Sequence, residues 1–202
     1  MSTEYTRNIQ IMAAGLPHNL TLMFAFGDQK NSVVWKTIKF PAEATTQARF
    51  TYHNQLCFMY PEVHNNHIVG SVSSPSVGQQ VTLITKANQF LFMNPIAGTP
   101  NAISAENGTA QNVNLAIGFA LDHGEHYPVR YCPGIASNET FTAEFKPVLN
   151  AYVTGEFREG EILPGGVEVP KIWSQNLAEL DESTKWVLNF NMSTGELRLV
   201  RA

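Results

Sequence analysis

The sequence predicts an all-β protein built as a two-sheet antiparallel β-sandwich. Apolar and polar residues alternate over most of the chain, and a period of two is the pattern of a half-buried strand. About fourteen short apolar segments are separated by turn residues every eight to twelve positions, which is typical of sandwiches and barrels. A chain of 202 residues is long for one domain and short for two, so we expect a single sandwich domain covering residues 1–202.

The first predicted strands follow one another as hairpins. They cover Thr6 to Met12, Leu20 to Phe26 and Ser32 to Phe40, and glycine-containing polar turns separate them. In the second of these strands the apolar residues Leu22 and Phe24 share one face.

The longest alternating pattern runs from Ala48 to Tyr60 and predicts one central strand. Its aromatic residues share one face, and His53 lies on the opposite, polar face. Asn54 interrupts the apolar face, and an asparagine in this position often marks a bulge or a bend. His53 is either a solvated surface residue or part of a ligand-binding site.

The rest of the chain continues the β pattern with few exceptions. Further strands are predicted at His67 to Val72, Gln80 to Ala87, Phe90 to Met93, Val113 to Ala120, Val129 to Cys132, Phe141 to Lys146, Leu149 to Phe157, Val167 to Trp173, Lys185 to Asn191 and Glu196 to Val200. The segment from Pro95 to Gln111 is predicted to be a long loop, and such loops are usually functional or mobile. Ser174 to Leu180 is the one predicted helix, with the serine as its cap. Pro170 makes Val167 to Trp173 an edge strand, which could pair between subunits of a homo-oligomer.

Composition excludes several classes of protein. Hydrophobic residues make up 44% of the chain and charged residues 15%, which supports a real core and argues against disorder. A net charge of −4 without a run of Lys or Arg argues against a nucleic-acid partner. No apolar stretch approaches the roughly eighteen residues that a membrane-spanning helix needs.

The termini and cysteines favour the cytoplasm. The first residues, Met1 to Arg7, lack a basic cluster leading into an apolar segment, so we expect a cytoplasmic protein rather than one whose leader was removed. Cys57 and Cys132 each lie among aromatic or apolar neighbours, which predicts two buried thiols. The alternative, a disulfide, would need an oxidising compartment.

Two polar breaks between strands each carry two histidines three positions apart. The candidate metal ligands in these breaks are Asp122, His123, Glu125, His126, His64 and His67. Imidazole and carboxylate groups suit Zn, Ni, Cu or Fe when three or four of them converge. A carboxylate-rich Ca loop is a second alternative, and ordinary polar turns are the third. A metal site shared by both breaks requires a strand order that brings them to one end of the sandwich.

Known catalytic patterns are absent from the sequence. It has no Gly-x-Ser-x-Gly, no His-Glu-x-x-His, no phosphate-binding glycine loop and no dinucleotide fingerprint. The run from His123 to His126 is similar to cupin metal sites, but cupin histidines are separated by a single residue. These observations favour a non-catalytic protein. An enzyme on this sequence would be metal-dependent, with Glu125 as general base.

Aromatic residues suggest a ligand-binding surface. Three Trp, twelve Phe and six Tyr are many for a chain with few charges. Trp173 and Asn176 would form a sugar-binding surface if the indole were exposed, because a flat ring stacks on a pyranose face. The alternative is that Trp173 packs in the core.

A cytosolic start, Thr- and Asn-rich strands and no catalytic motif together resemble the small cytosolic all-β proteins of mushroom fruit bodies, a group of lectins and pink pigment-binding chromoproteins. The resemblance implies a fungal binding protein that accumulates in the cytosol, with a small organic chromophore as one class of ligand. The leading prediction is therefore non-catalytic binding of a small, largely apolar ligand, with or without a metal ion. A carbohydrate-binding lectin is the first alternative, and a metal-dependent enzyme on a β-sandwich or cupin-like scaffold is the second.

Overall fold

The protein is all-β, as the sequence predicts. The structure, a computed structural model, describes residues 4–27, 30–64, 67–120, 125–143, 145–163, 165 and 168–202. Nearly all regular structure in these residues is strand, and the one described helix is a 3-10 turn at Leu177–Glu179. The strands form more than two sheets, so the predicted two-sheet sandwich is not confirmed.

The strands are numbered here in chain order. They are β1 (Thr6–Ala13), β2 (Leu20–Phe26), β3 (Ser32–Phe40), β4 (Thr46–His53), β5 (Leu56–Met59), β6 (Glu62–His64), β7 (His67–Val69), β8 (Val72–Ser73), β9 (Gln79–Lys86), β10 (Gln89–Phe92), β11 (Ile96–Ala97), β12 (Ile103–Asn107), β13 (Val113–Ala120), β14 (His126–Ile135), β15 (Thr140–Ala143), β16 (Val148–Val153), β17 (Ile162–Leu163), β18 (Lys171–Asn176), β19 (Ser183–Asn191) and β20 (Glu196–Arg201).

The chain divides into two compact units. The middle unit comprises residues 1–4, 54–145 and 160–162, and the terminal unit comprises residues 5–53, 146–159 and 163–202. Each unit has its own hydrophobic cluster. The single domain over residues 1–202 stays a prediction.

The terminal unit has two layers of strands around an aromatic core. Its strand orders are β20-β19-β1-β4 and β18-β16-β2-β3, and β1 runs parallel to β19 while the other neighbours are antiparallel. Rings meet across the two sheets. Phe24 of β2 lies 5.2 Å from Phe50 of β4, and Trp173 of β18 lies 5.1 Å from Trp186 of β19, measured between ring centroids. These contacts explain why Phe24 is completely buried.

The middle unit has the same two-layer construction with a mainly aliphatic core. Its strand orders are β14-β13-β5-β8 and β10-β9-β12-β15, with β9 and β12 parallel. Phe58 and Leu115 from the first sheet belong to one buried cluster with Leu83 and Ile103 from the second. Strands β6 and β7 form a separate short hairpin.

The predicted strand from Ala48 to Tyr60 is wrong as a single element. It is two strands, β4 and β5, and the boundary between the two units falls between His53 and Asn54. The alternation continues in phase across the break, so that Phe50 and Phe58 are both buried although they belong to different units. Asn54 marks the interruption, as expected for this residue in a strand pattern.

Two other predicted elements are also wrong. The predicted loop from Pro95 to Gln111 contains β11 and β12, and β12 is buried at Ile103 and Ala105. Ser, Asn and Glu are common in loops, which is why the sequence predicts a loop here. In β12, Ser and Glu alternate with apolar residues, which is the pattern of a strand. The predicted helix from Ser174 to Leu180 is the end of β18 followed by the 3-10 turn. Strand β18 continues to Asn176, so the residues of the predicted helix that remain after it are too few to form an α-helix.

Several predicted bounds are confirmed. Strands β2, β3 and β13 have the bounds that the sequence predicts. The predicted edge strand from Val167 to Trp173 begins only at Lys171, and Val167 lies outside the described residues. Strand β18 does stand at the end of its strand order in the terminal unit.

Candidate functional site

The Asp122 to His126 stretch follows β13, and its last two residues belong to the described part of the chain. Asp122 and His123 lie outside the described residues. His126 is half-buried and begins β14, where its backbone pairs with Ala120 at the end of β13. The Glu125 carboxylate is exposed and accepts a hydrogen bond of 2.9 Å from the Tyr127 hydroxyl.

The second histidine pair lies on the β6–β7 hairpin, where the backbones of His64 and His67 are paired. Strands β5 and β13 are antiparallel, so the last residue of β5 lies far from Ala120, the last residue of β13. The chain continues from that end of β5 toward His64. The two predicted parts of a shared metal site therefore start from opposite ends of β5. Within the described ranges, no three His, Cys, Asp or Glu side chains come together as a metal site. The metal ligands at 122–126 stay a prediction.

Trp173 has the packing role that the sequence offered as the alternative. Its exposed fraction is 6%, and its ring makes edge contacts with Trp186 and Phe24. Sugar stacking would need an open ring face, which this packing removes. The polar neighbours Ser174 and Gln175 are typical of an exposed segment, whereas the strand alternation of β18 turns Trp173 inward.

The other two predicted ligand-binding residues make structural contacts. Asn176 caps the 3-10 turn, since its Oδ1 accepts from the Ala178 amide at 3.2 Å and its Nδ2 donates to Glu179 at 2.6 Å. His53 ends β4, and its Nδ1 lies 3.3 Å from the Thr6 hydroxyl of β1. Neither residue lines the clefts described below.

The terminal unit contains an apolar cleft of about 530 Å³. Residues 19–21 at the start of β2, residues 39–41 at the end of β3 and residues 153–155 at the end of β16 form its wall. The strand ends meet here because β2 pairs with both β3 and β16, with Leu20 opposite Phe40. The atoms that line the cleft are mainly carbon atoms, and the volume of the cleft lies within the usual range for small-molecule sites.

The rim of this cleft is held by local hydrogen bonds. The Thr154 amide donates to the Thr21 carbonyl at 3.1 Å, and the Asn19 Oδ1 accepts from the Ala42 amide at 2.7 Å. Phe40 is 1% exposed and forms part of the floor, while Lys39 is exposed. Lys39 is the one ionisable residue among those lining this cleft.

No pattern in the sequence indicates the cleft. Its three segments lie far apart in the chain, and none of them contains a motif. The only local hint is Gly155, the second residue after β16, and a glycine next to a strand is usually just a turn residue.

The middle unit has two further clefts, of about 760 and 270 Å³, and both are lined in part by Asn88 and Phe90. Phe90 was predicted only as part of a strand. Its sequence neighbours do not distinguish it from Phe92.

Comparisons with protein-family models, curated proteins and solved structures found no match to this chain. The search for long apolar helices in the described residues found none that could cross a membrane. Function is therefore inferred from the chain's own side chains.

Both cysteines are free and buried, as the sequence predicts, and both lie in the middle unit. Burial raises the pKa of Cys57 from its ordinary value of 9.0 to about 12, although a backbone contact with Gly118 opposes the shift. Burial likewise raises the pKa of Cys132 to about 11, against the opposing charge of Arg130. Thiolates are the reactive form, so neither cysteine is suited to be a nucleophile.

We expect both thiols to resist a disulfide reagent such as DTNB at pH 8 in the folded protein and to react fully in urea. A pKa of about 12 leaves Cys57 with roughly a thousandfold less thiolate than a free cysteine. Since the folded pKa values are raised, their contribution to stability is complete below about pH 9 and is lost as the pH rises toward 11–12. Rapid labelling of either thiol without denaturant would contradict this.

Proposed function

We propose that this chain is a non-catalytic binding protein for a small, largely apolar molecule, which it holds in the cleft of the terminal unit. The observation that carries the proposal is the cleft itself, with its mainly apolar wall and volume of about 530 Å³. An apolar ligand gains about 25 cal/mol for each Å² of its surface that leaves water. The strand ends that form the wall are fixed by the sheet, which limits the ordering cost of binding.

The side chains at the rim suggest the shape of the ligand. Leu20 and Val153 are half-buried and offer apolar contact, while the exposed Lys39 places an ammonium group at the rim. An apolar body with an acceptor or carboxylate at one end fits this arrangement. A small organic pigment belongs to the same ligand class.

The proposal includes a cytoplasmic location, which the two unpaired thiols support, since free cysteines persist in reducing compartments. A metal ion held by His123, His126 and a carboxylate stays a separate prediction from the sequence, and the apolar cleft does not require it. A turnover reaction is not part of the proposal because the cleft wall carries no carboxylate, histidine or thiol.

Gly155 allows the cleft to be filled without disturbing the fold. A Cβ at this position would meet only Thr21 atoms, at 3.7 and 3.9 Å, which is ordinary van der Waals contact. Gly155→Leu should therefore project a side chain toward the cleft wall at Thr21. We expect it to weaken binding of the apolar fluorescent probe N-phenyl-1-naphthylamine at least about tenfold, or about 1.4 kcal/mol.

Two matched variants separate loss of the cleft from general effects. Gly155→Ala adds one methyl group and should change probe affinity less than about threefold. Gly165→Leu adds the same side chain where no atom lies within 4 Å of the new Cβ, and it should bind like the wild type. Equal binding by Gly155→Leu and wild type, with an unchanged melting temperature, would contradict the proposal.

A further inference from the structure

The middle unit places an aromatic pair at the junction of its two clefts. The rings of Tyr60 and Phe90 are stacked, with centroids 4.3 Å apart and planes inclined by 17°. Both residues are half-buried, because they pack against the core of the unit and also line a cleft. Ser71 fixes their positions: its hydroxyl donates to the Phe90 carbonyl at 3.2 Å, and its carbonyl accepts from the Tyr60 amide at 2.8 Å.

The wall facing Phe90 in the larger cleft is a preorganised polar loop, residues 108–111. It is held by the buried side chain of Asn107, whose Oδ1 accepts from the Thr109 amide and hydroxyl at 3.0 and 2.7 Å. The Asn107 amide donates to the carbonyls of Gln111 and Ile135 at 2.8 and 2.9 Å. All four hydrogen bonds that an asparagine side chain can make are thus formed, so this loop is rigid before any ligand binds.

Gly108 brings this loop close to β9. A Cβ at position 108 would lie 2.7 Å from a methyl carbon of Thr82 and 3.2 Å from the Leu83 carbonyl, so only glycine fits without a shift of the Thr82 side chain. The Gly108 amide also donates to the Leu83 carbonyl at 2.9 Å. The close approach keeps Thr109 and Gln111 in the wall of the cleft that Phe90 also lines.

Asn88 projects from the hairpin beside the aromatic pair. Ala87 and Asn88 form the two-residue turn between β9 and β10, with φ values of +49° and +62°. Asparagine tolerates this left-handed conformation, whereas alanine adopts it at a cost of roughly 1–2 kcal/mol. The exposed Asn88 lines both clefts and has free access to a ligand in either of them.

The chemistry of these clefts is polar but uncharged. The residues lining them include Thr85, Asn88, Thr109, Gln111 and Ser71, and none of the lining residues is Asp, Glu, Lys, Arg or His. The absence of cationic groups from the lining argues against nucleotides and other phosphate ligands, which need such groups or their equivalent. Amide and hydroxyl groups around an aromatic ring instead match a neutral molecule with hydroxyl groups along its edge and an apolar face.

From this arrangement we propose that the Phe90 clefts bind a neutral oligosaccharide of pyranose rings with equatorial hydroxyls. In such a ring the C–H groups form the faces and the hydroxyls point outward around the edge. The face packs on Phe90, while the exposed side chains of Asn88 and Gln111 bond to the hydroxyls. Two clefts that share one aromatic residue give room for more than one sugar ring. This site is separate from the apolar cleft and does not depend on it.

Cellotetraose and tetra-N-acetylchitotetraose are the probes that test the site, because both are neutral and carry equatorial substituents. We expect at least one of them to bind the wild-type protein in isothermal titration calorimetry. Phe90→Leu should weaken that binding about tenfold, because leucine keeps the apolar packing and loses the flat ring. Asn88→Gly should weaken it several-fold, and the melting temperature should be kept because glycine prefers this turn position.

Phe92→Leu is the matched control. Phe92 lies on the same strand and packs against the same core cluster, but it lines neither cleft. The Phe92→Leu variant should lose as much stability as Phe90→Leu does, and its affinity for the saccharides should stay within about twofold of the wild-type affinity. The proposal is overturned if neither saccharide binds the wild-type protein, or if the Phe90 and Phe92 variants weaken binding equally.

Discussion

Replacing Phe24 by alanine should lower the free energy of unfolding of the terminal unit by about 3–5 kcal/mol. Phe24 is completely buried at the centre of the aromatic core. Its ring lies 5.2 Å from Phe50 of the opposite sheet and 6.4 Å from Trp173 of its own sheet. Truncation removes this burial and leaves a cavity between two sheets that cannot collapse freely.

Tryptophan fluorescence in a urea titration is a suitable measurement for this variant. All three tryptophans, Trp35, Trp173 and Trp186, belong to the terminal unit, so their emission reports on that unit. Phe157→Ala is the control, since Phe157 is only half-buried at the edge of a cluster in the same unit. Phe157→Ala should lower the free energy of unfolding by clearly less than Phe24→Ala does. A Phe24→Ala cost below about 1 kcal/mol, or equal costs for the two variants, would contradict the proposed core.

Gly118→Ala should destabilise the middle unit by about 2–3 kcal/mol, because overpacking of a filled core is costly. Gly118 lies inside β13, between β5 and β14. A Cβ there would overlap both the Met59 methyl group and the Tyr127 backbone carbonyl. The methionine end could move aside, but the carbonyl belongs to the neighbouring strand, so β14 would have to shift.

Labelling of the thiols reports on the strands around Gly118, since Cys57 lies opposite Gly118 in the β5–β13 register. The urea midpoint for labelling of the two cysteines should fall strongly in Gly118→Ala. Gly155→Ala, in the terminal unit, is the control for an added methyl group that finds room, and its labelling midpoint should stay close to that of the wild type. An unchanged labelling midpoint for Gly118→Ala would show that β5, β13 and β14 are not packed as described.

The fold class could be predicted because it depends on a local pattern. Strands such as β2 and β13 alternate apolar and polar residues between clear turns, and their bounds follow from that alternation. The division into two units could not be predicted, since the alternation from Phe50 to Phe58 continues in phase across the boundary at Asn54. Which sheet each half joins is decided by pairing with distant strands, namely β1 for β4 and β13 for β5.

The candidate site was harder to predict than the fold for a related reason. The metal-binding and sugar-binding predictions depend on short stretches of conspicuous residues, and only the polar neighbours of Trp173 indicate that it is exposed. The apolar cleft is made by unremarkable residues at 19–21, 39–41 and 153–155, which β-pairing alone brings together. The Asp122 and His123 part of the metal hypothesis lies outside the described residues and stays a prediction.

The most direct test of the central proposal is a chemical-shift map of the isotope-labelled protein titrated with N-phenyl-1-naphthylamine. The amide and methyl signals of residues 19–21, 39–41 and 153–155 should shift together and saturate, with Leu20 and Val153 among the largest changes, while the signals around Phe90 stay unchanged. Shifts centred elsewhere, or no saturable shifts at these three segments, would contradict the assignment of this cleft as the ligand site.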